Sequence, residues 1–264
     1  LEGIYLEHSD NNTILNCTLS DDDMFEIHLK SSSNNLIEYI TTDYVVHGLF
    51  MEQSSNNNQI EHCNFSRATY SLYIHSSADN QVTDCTFSTN VYGVTLAYAS
   101  DNLITNCTFI DAGIGGEFEG EIIGGVTLGL SYSSNNQITN CKIQDDVWGL
   151  HLLWGCILSH SSNNQIINVS FQITNVPSQY ETWIEFEGVA SEYSDNNLIS
   201  GCTFQKCRRG IKFYMGDCAN QIINCNFKDC LSTGITIYFA SQIVVSNCSF
   251  TDVRFGINIA ASSN

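Results

Sequence analysis

The segment Asn136-Gln137-Ile138-Thr139-Asn140-Cys141-Lys142-Ile143 recurs with variations along this chain of 264 residues. Close copies occupy residues 12–19, 58–65, 80–87, 102–109, 197–204 and 220–227, and weaker copies begin at Asn35, Asn164 and Ile243. A second motif, glycine followed by apolar-x-apolar, lies between them, as in Gly93-Val94-Thr95-Leu96. Repeats of 20 to 50 residues are typical of proteins built from stacked structural units.

Each repeat predicts three short strands. The position of Cys141 is occupied by cysteine in eight copies, most of them 22 or 23 residues apart: Cys17, Cys63, Cys85, Cys107, Cys141, Cys202, Cys225 and Cys248. The first strand follows the glycine, the second is centred on the residue equivalent to Ile138, and the third is Cys-x-Phe. Alternation with period two directs Ile, Cys and Phe inward and the residues between them outward.

The residue before the cysteine predicts a sharp bend. It is Asn140 in the quoted segment and Asn, Asp, His or Gly in most other copies, which are the residues that tolerate a left-handed backbone. Stacked side chains at this bend are expected to form an amide ladder. Together these features predict one all-β domain over residues 1–264, a right-handed, single-stranded parallel β-helix of about ten coils with three strands each.

The pattern S-x-N-N-x-I-x-N-C-x-F followed by G-I-x-L resembles the parallel β-helix repeat family. That family includes NosD-like repeats and the carbohydrate-binding and sugar-hydrolysis-like repeats of archaeal and bacterial surface proteins. The resemblance covers essentially the whole chain and implies an extracellular or cell-surface location. It does not select an activity, because lyases, hydrolases, adhesins and envelope proteins all use this repeat.

Composition limits the partners. Nine Lys and Arg residues against 28 Asp and Glu residues give a formal charge of −19, which argues against a nucleic-acid partner. No apolar run approaches the ~20 residues of a membrane span. The cysteines show no zinc or iron–sulfur spacing, so no metal site is predicted from them. No cofactor is predicted apart from calcium, which loop carboxylates could bind.

Three steps between repeats are longer than the rest. Cys107 to Cys141 spans 34 residues, Cys141 to Val169 spans 28, and Val169 to Cys202 spans 33. The extra residues predict loops at 110–124, 153–162, 172–182 and 187–194, flanking a strand face at Val126, Leu150 and Ile184. Loops added to a regular scaffold usually carry function.

These segments predict a cleft for carbohydrate. Its candidate ligand-binding residues are aromatic or charged: Trp148, Trp154, Trp183, Tyr180, Glu187, Arg208 and Arg209. Outward positions in successive coils are expected to run Thr127, His151, Glu185, Lys212, which makes His151, Glu185 and Lys212 the catalytic candidates. An enzyme of this kind would be a polysaccharide lyase or glycoside hydrolase, but the chain lacks the Asp-rich triplet of polygalacturonase-like β-helices, so a non-enzymatic protein is favoured. The alternative is a solvated charge ladder covered by loop aromatics.

The cysteine column is expected to be a stack of small buried residues, most of them thiols. Cys207 and Cys230 differ, because each lies three residues after a strand phenylalanine in adjacent coils. They are the predicted intrachain disulfide. Cys156 and Cys218 are expected in loops, where they would be exposed or form intermolecular bonds.

The two ends carry the same strand of the repeat, with the edge residues Gly3, Ile4, Tyr5 and Leu6 at one end and Gly256, Ile257, Asn258 and Ile259 at the other. No capping helix is evident, and uncapped strand edges pair readily with another chain. The first functional prediction is therefore an envelope protein whose copies stack head to tail into a fibre, sheath or layer, resembling archaeal sheath and surface-layer proteins. The second is a surface protein that binds or acts on carbohydrate.

Overall fold

The computed structural model describes residues 2–20, 24–112, 116–118, 121–123, 125–145, 152–174 and 185–262. These residues wind into ten coils of three strands, and each strand pairs in parallel with its counterpart in the next coil. An eleventh first strand, Phe255–Ala260, follows coil 10. The predicted parallel β-helix with about ten coils is confirmed.

The strands fall into three sets. First strands are Glu2–Glu7, Phe25–Lys30, Tyr92–Ala97, Gly125–Ser131, Leu152–Ser159, Glu185–Glu192, Arg209–Tyr214, Thr233–Tyr238 and Phe255–Ala260. Second strands are Thr13–Leu15, Leu36–Glu38, Gln59–Glu61, Gln81–Thr83, Leu103–Thr105, Gln137–Thr139, Gln165–Ile167, Leu198–Ser200, Gln221–Ile223 and Val244–Ser246. Third strands are Thr18–Ser20, Thr86–Ser88, Thr108–Ile110, Lys142–Asp145, Ser170–Ile173, Thr203–Gln205, Asn226–Lys228 and Ser249–Thr251. Thr41–Glu52 and Asn64–His75 each join a third strand to the first strand of the next coil.

Pairing in register places equivalent residues directly above one another. Ile104 pairs with Ile138, and Ile138 pairs with Ile166. Phe87 stacks on Phe109 with ring centroids 4.8 Å apart. The inward residues therefore form continuous columns of Ile, Cys and Phe, and these columns are the hydrophobic core.

The main amide ladder lies at Asn136. At the bend, where the ladder was expected, amide bonds join only some neighbouring coils, from Asn168 Nδ2 to Asn140 Oδ1 at 3.3 Å and from Asn247 Nδ2 to Asn224 Oδ1 at 2.6 Å. Asn136 is 1% exposed; its Nδ2 donates to Asn164 Oδ1 at 3.1 Å, and its Oδ1 accepts from the backbone N of Asn102 at 2.9 Å. Asn140 does adopt the predicted left-handed backbone, with φ of 55°, but its side chain is exposed. The ladder forms at the inward corner because backbone N–H groups there need a buried acceptor.

Glycine is needed before the apolar pair of the first strand, because a phenylalanine ring and the backbone of the next coil leave no room for a Cβ. A Cβ added at Gly188 would lie 2.5 Å from Phe204 Cδ1 and 2.6 Å from the carbonyl oxygen of Gly210. Gly155 is equally confined, with Phe171 Cδ1 at 2.7 Å from such a Cβ. The glycine column lets the first strands pack directly on the phenylalanine column.

The predicted loops at 153–162 and 187–194 are wrong, because Leu152–Ser159 and Glu185–Glu192 are first strands. The extra residues all precede the first strands of coils 6 to 8, and part of them forms the antiparallel hairpin Gly116–Phe118 with Glu121–Ile123. The first strands of these coils are therefore centred later in the chain than Val126, Leu150 and Ile184, where they were expected. In coil 7 a glycine followed by apolar residues occurs twice, at Gly149 and Gly155, and the first strand uses Gly155, which lies against the ring of Phe171.

The disulfide prediction is also wrong: the structure has all twelve cysteines as thiols. Left-handed bends at Lys206 and Asp229 turn Cys207 and Cys230 into the core, where each thiol faces a backbone carbonyl. Cys156 lies in a strand at 0% exposure rather than in a loop, and burial raises the pKa of its thiol to about 12. Cys218 is half-buried.

Candidate functional site

The outer face of the first strands in coils 7 to 9 contains an open concavity of about 210 Å³, called the groove below. It is lined by Trp154, Ile157, Glu187, Ala190, Ser191, Glu192, Lys212 and Tyr214. Most of these residues alternate with core residues along the strands and face outward, whereas Ser191 pairs with the core residues Leu158 and Phe213 and is 3% exposed. Two of its three coils, coils 7 and 8, carry extra residues before their first strands.

Glu187 is the central charged group of the groove. It is 5% exposed, and its Oε1 accepts a hydrogen bond from Arg209 Nη1 and lies 3.5 Å from Lys212 Nζ. Its Oε2 is buried and has no hydrogen-bond partner in the part of the chain that the structure describes. A buried carboxylate oxygen without a donor is costly, so a ligand that supplies a donor would be stabilised there.

Aromatic side chains flank this carboxylate. Trp154 pairs in register with Glu187 one coil away, and its ring stacks on no other aromatic ring among the described residues. Lys212 Nζ lies 5.3 Å from the ring centroid of Tyr214. The groove thus combines an unstacked indole, an acceptor oxygen and an ammonium group.

A different arrangement covers the same face in coils 1 to 5. Phe25, His47, Tyr70 and Tyr92 form one column, with neighbouring centroids 4.6 to 5.0 Å apart. Burial, followed by the nearby His28, lowers the pKa of His47 from 6.5 to about 4. The ring faces of this column cover each other, so it presents ring edges to solvent and offers no open platform.

Asp217 lies beneath the groove. It is fully buried and accepts hydrogen bonds from Ser191 Oγ at 3.1 Å, Ser194 N at 2.8 Å and Tyr214 N at 3.0 Å. Burial raises the pKa of its carboxyl group from 3.8 to about 7, against the lowering effect of these hydrogen bonds. Asp217 takes the place that serine holds in the preceding coil, where Ser194 Oγ accepts from the backbone of Ser161.

The raised pKa predicts a pH-dependent contribution to stability. Because the folded state favours protonated Asp217, its stabilisation is complete below about pH 4 and is lost as pH rises to about 7. As pH rises over this range, we expect the free energy of unfolding of the wild type to fall relative to that of Asp217→Ser by on the order of 3 kcal/mol. Urea unfolding at several pH values measures it, and parallel profiles for the two proteins would contradict it.

The structure brings four predicted residues together: Trp154, Glu187, Arg209 and Lys212. Arg208 is half-buried and outside the groove lining; its backbone N donates to the carbonyl of Phe186. The predictions for Trp148, His151, Tyr180 and Trp183 lie outside the described residues, as do the side chain of Glu185 and most of the loop carboxylates expected to bind calcium.

The predicted outward column Thr127, His151, Glu185, Lys212 is wrong. Lys212 pairs with Ala190, whereas Glu185 pairs with Leu152 two positions before the Trp154–Glu187 pair. Thr127 is fully buried and donates to the carbonyl of Ala112. The error follows from the displaced first strands of coils 6 to 8.

Sequence reasoning missed Tyr214, Ser191 and Asp217. Tyr214 could have been found by extending the alternation of the first strand beyond Lys212. Ser191 could not, because it lies at an inward position of the strand, paired with Leu158 and Phe213. No local signal marks Asp217, because its burial depends on the coil stacked above it.

The fold defines this molecule as a parallel β-helix protein. Its sequence matches the family described as "Right handed beta helix region" over residues 1–109, 58–185 and 157–264. The chain therefore belongs to the right-handed β-helix family. No curated protein matches its sequence. The described residues contain no helix long and apolar enough to cross a membrane.

Several solved structures share the fold. The catalytic domain of a GH87 α-1,3-glucanase in complex with tetrasaccharides superposes with a TM-score of 0.57 at 10% identity, over 100% of this chain and 62% of that chain. The periplasmic alginate epimerase AlgG gives 0.58 at 12% identity, over 99% and 74%. DFA-IIIase from Arthrobacter chlorophenolicus A6 gives 0.55 at 10% identity, over 91% and 68%. This chain thus spans less than two thirds of the glucanase domain, and at these identities the similarity shows the fold alone.

Proposed function

We propose that this protein is secreted or displayed at the cell surface and binds a polysaccharide in the groove. The observation that carries the proposal is the buried Oε2 of Glu187 beside the ring of Trp154, since among the described residues neither a hydrogen-bond donor meets this oxygen nor an aromatic ring stacks on this indole. The structural neighbours support the same class of ligand, because they include a glucanase bound to tetrasaccharides and an alginate epimerase.

The groove matches the chemistry of a sugar ring. A sugar hydroxyl that donates to the Glu187 carboxylate adds a hydrogen bond to a group in which one oxygen has none from the described residues, while Lys212 donates to a neighbouring sugar oxygen. The indole face of Trp154 packs against the apolar C–H face of the ring. Because Arg209 already holds Glu187 Oε1, the carboxylate is oriented before the ligand arrives.

Two substitutions test the site. Trp154→Ala removes the packing surface. Glu187→Gln replaces one carboxylate oxygen with an NH2 group, so one of the two acceptor positions becomes a donor. We expect each to weaken binding of the glycan at least tenfold, which corresponds to about 1.4 kcal/mol. The measurement is a screen of the wild-type protein on a glycan array, followed by titration calorimetry with the polysaccharide that binds.

Tyr98→Ala is the matched control. Tyr98 is 60% exposed and lies in coil 5 at a corner outside the groove, so its loss should leave glycan affinity unchanged. Circular dichroism and melting temperature establish that each variant folds. Unchanged affinity for both groove variants, or equal losses in all three, would contradict the proposal.

Catalysis is not part of this proposal. Of the catalytic candidates His151, Glu185 and Lys212, the last two belong to different positions of the strand register, and His151 lies outside the described residues. The enzymatic alternative, a polysaccharide lyase or glycoside hydrolase, predicts release of shorter saccharides from the polysaccharide that the groove binds.

Head-to-tail assembly is a second proposal. Ile257 and Ile259 in the last strand are 43% and 63% exposed, and this strand continues the parallel register of the sheet. Another copy that pairs through Gly3–Leu6 would bury these side chains. Light scattering over a concentration series tests it, and a constant monomeric mass would exclude it.

A further inference from the structure

Three metal-ligating side chains converge on the outer face of the second strands in coils 2 and 3, away from the groove of coils 7 to 9. They are Glu38, Glu61 and His62, and one ligand atom from each lies within 4.8 Å of the others. Glu38 and Glu61 are half-buried and His62 is exposed. The cluster is therefore accessible from solvent.

The β-helix holds these side chains in place. Glu38 and Glu61 are the last residues of the strands Leu36–Glu38 and Gln59–Glu61, and they pair in register. His62 follows at a left-handed bend, and its ring stacks on Tyr39 with centroids 5.1 Å apart and an angle of 11° between the rings. The arrangement is built from paired strands and a stacked ring, so it needs little reorganisation to receive an ion.

Some carboxylates of the described residues face a basic side chain in the neighbouring coil. Glu7 faces Lys30, Asp43 faces Arg67, and Glu187 faces Arg209, each across one coil. Glu38 and Glu61 instead face each other. Within the described part of the chain, neither of them forms a salt bridge and neither ring nitrogen of His62 forms a hydrogen bond.

Like charges at paired strand positions repel, and a divalent cation between them would reverse that repulsion. The three side chains thus offer two carboxylate oxygens and one imidazole nitrogen, with nothing else in the described residues competing for them. Calcium prefers oxygen ligands alone, whereas zinc accepts imidazole nitrogen together with carboxylate oxygen and often keeps water in its remaining position.

We propose that Glu38, Glu61 and His62 bind one Zn²⁺ ion, with water completing the coordination. The ion links coils 2 and 3 through their side chains. The site is independent of the groove and of the proposed polysaccharide binding, because its residues lie on a different sheet and at least four coils away.

The test uses Zn²⁺ alone as the probe and the whole chain. Titration calorimetry of the wild-type protein should show one tight site per chain, and Zn²⁺ should raise the melting temperature. Glu61→Thr and His62→Asn should each weaken this site at least tenfold and abolish the thermal shift. Both variants should fold, because Thr83 pairs with Glu61 in the next coil and Asn106 holds the bend position of His62 two coils further on.

Cys218→Ser is the control for zinc binding to a half-buried thiol, and it should leave the site unchanged. Co²⁺ substitution gives a second readout, since the variants should lose the visible absorption of the nitrogen- and oxygen-ligated ion. The proposal is overturned if Glu61→Thr and His62→Asn bind Zn²⁺ as the wild type does. It is also overturned if Ca²⁺ binds the wild type as tightly as Zn²⁺, because the imidazole would then have no role.

Discussion

Asn136→Asp should destabilise the protein by on the order of 4 kcal/mol, although it exchanges only an amide for a carboxylate. Asn136 Nδ2 donates to the carbonyl oxygens of Ala99 at 3.0 Å and Ser134 at 3.2 Å, and to Asn164 Oδ1 at 3.1 Å. A carboxylate has no donor, so all three oxygens would face a negative charge at a site that is 1% exposed. The acceptor bond to the backbone N of Asn102 would remain, so the loss isolates the donor side of the ladder.

The matched control is Asn140→Asp in the same repeat. Asn140 is exposed and only accepts, from Asn168 Nδ2 at 3.3 Å, and Asp84 holds the equivalent position two coils earlier. We expect a change within about 0.5 kcal/mol. Urea unfolding measures both variants, provided that the slope with urea is unchanged. Similar losses in the free energy of unfolding for the two variants would show that the buried ladder at Asn136 contributes no more to stability than the exposed bend at Asn140.

Gly188→Ala should be among the most damaging single-methyl additions in the first strands. Its Cβ would lie 2.6 Å from the carbonyl oxygen of Gly210 and 2.5 Å from Phe204 Cδ1. The carbonyl belongs to the paired strand of coil 9, so relief requires the coils to separate or the phenylalanine column to shift. We expect a loss of about 3 kcal/mol or more in the free energy of unfolding.

Gly129→Ala is the control for the effect of alanine in place of glycine. A Cβ at Gly129 meets Val126 Cγ1 at 3.6 Å and Thr95 Oγ1 at 3.9 Å, which are ordinary contacts. Alanine there should be neutral or stabilising by a few tenths of a kcal/mol, because it restricts the unfolded chain. Thermal and urea unfolding measure the stability of both variants. Equal changes would contradict the claim that Gly188 has no room for a Cβ.

The groove was partly predictable. The segments with extra residues pointed to two of its three coils, and Trp154, Glu187, Arg209 and Lys212 were named from residue type and neighbourhood. The contacts among them were not predictable, because they depend on which residue of one coil faces which residue of the next. Glu187 bonds to Arg209 since both lie at the same register position, and no pattern within one coil contains that information.

The sequence alone determined the architecture, the number of coils and the inward columns, because the 22–23-residue spacing and the period-two alternation are local properties that every copy repeats. Tertiary structure decided two further features. It placed the buried ladder at Asn136 rather than Asn140, because only the path of the corner shows which amide turns inward. It also selected the first strands Leu152–Ser159 and Glu185–Glu192. Apolar alternation predicts which side chains of a strand face the core, but not the position along the chain at which the strand lies. That position depends on glycines seating over the phenylalanine rings, and this contact exists only when the coils are stacked.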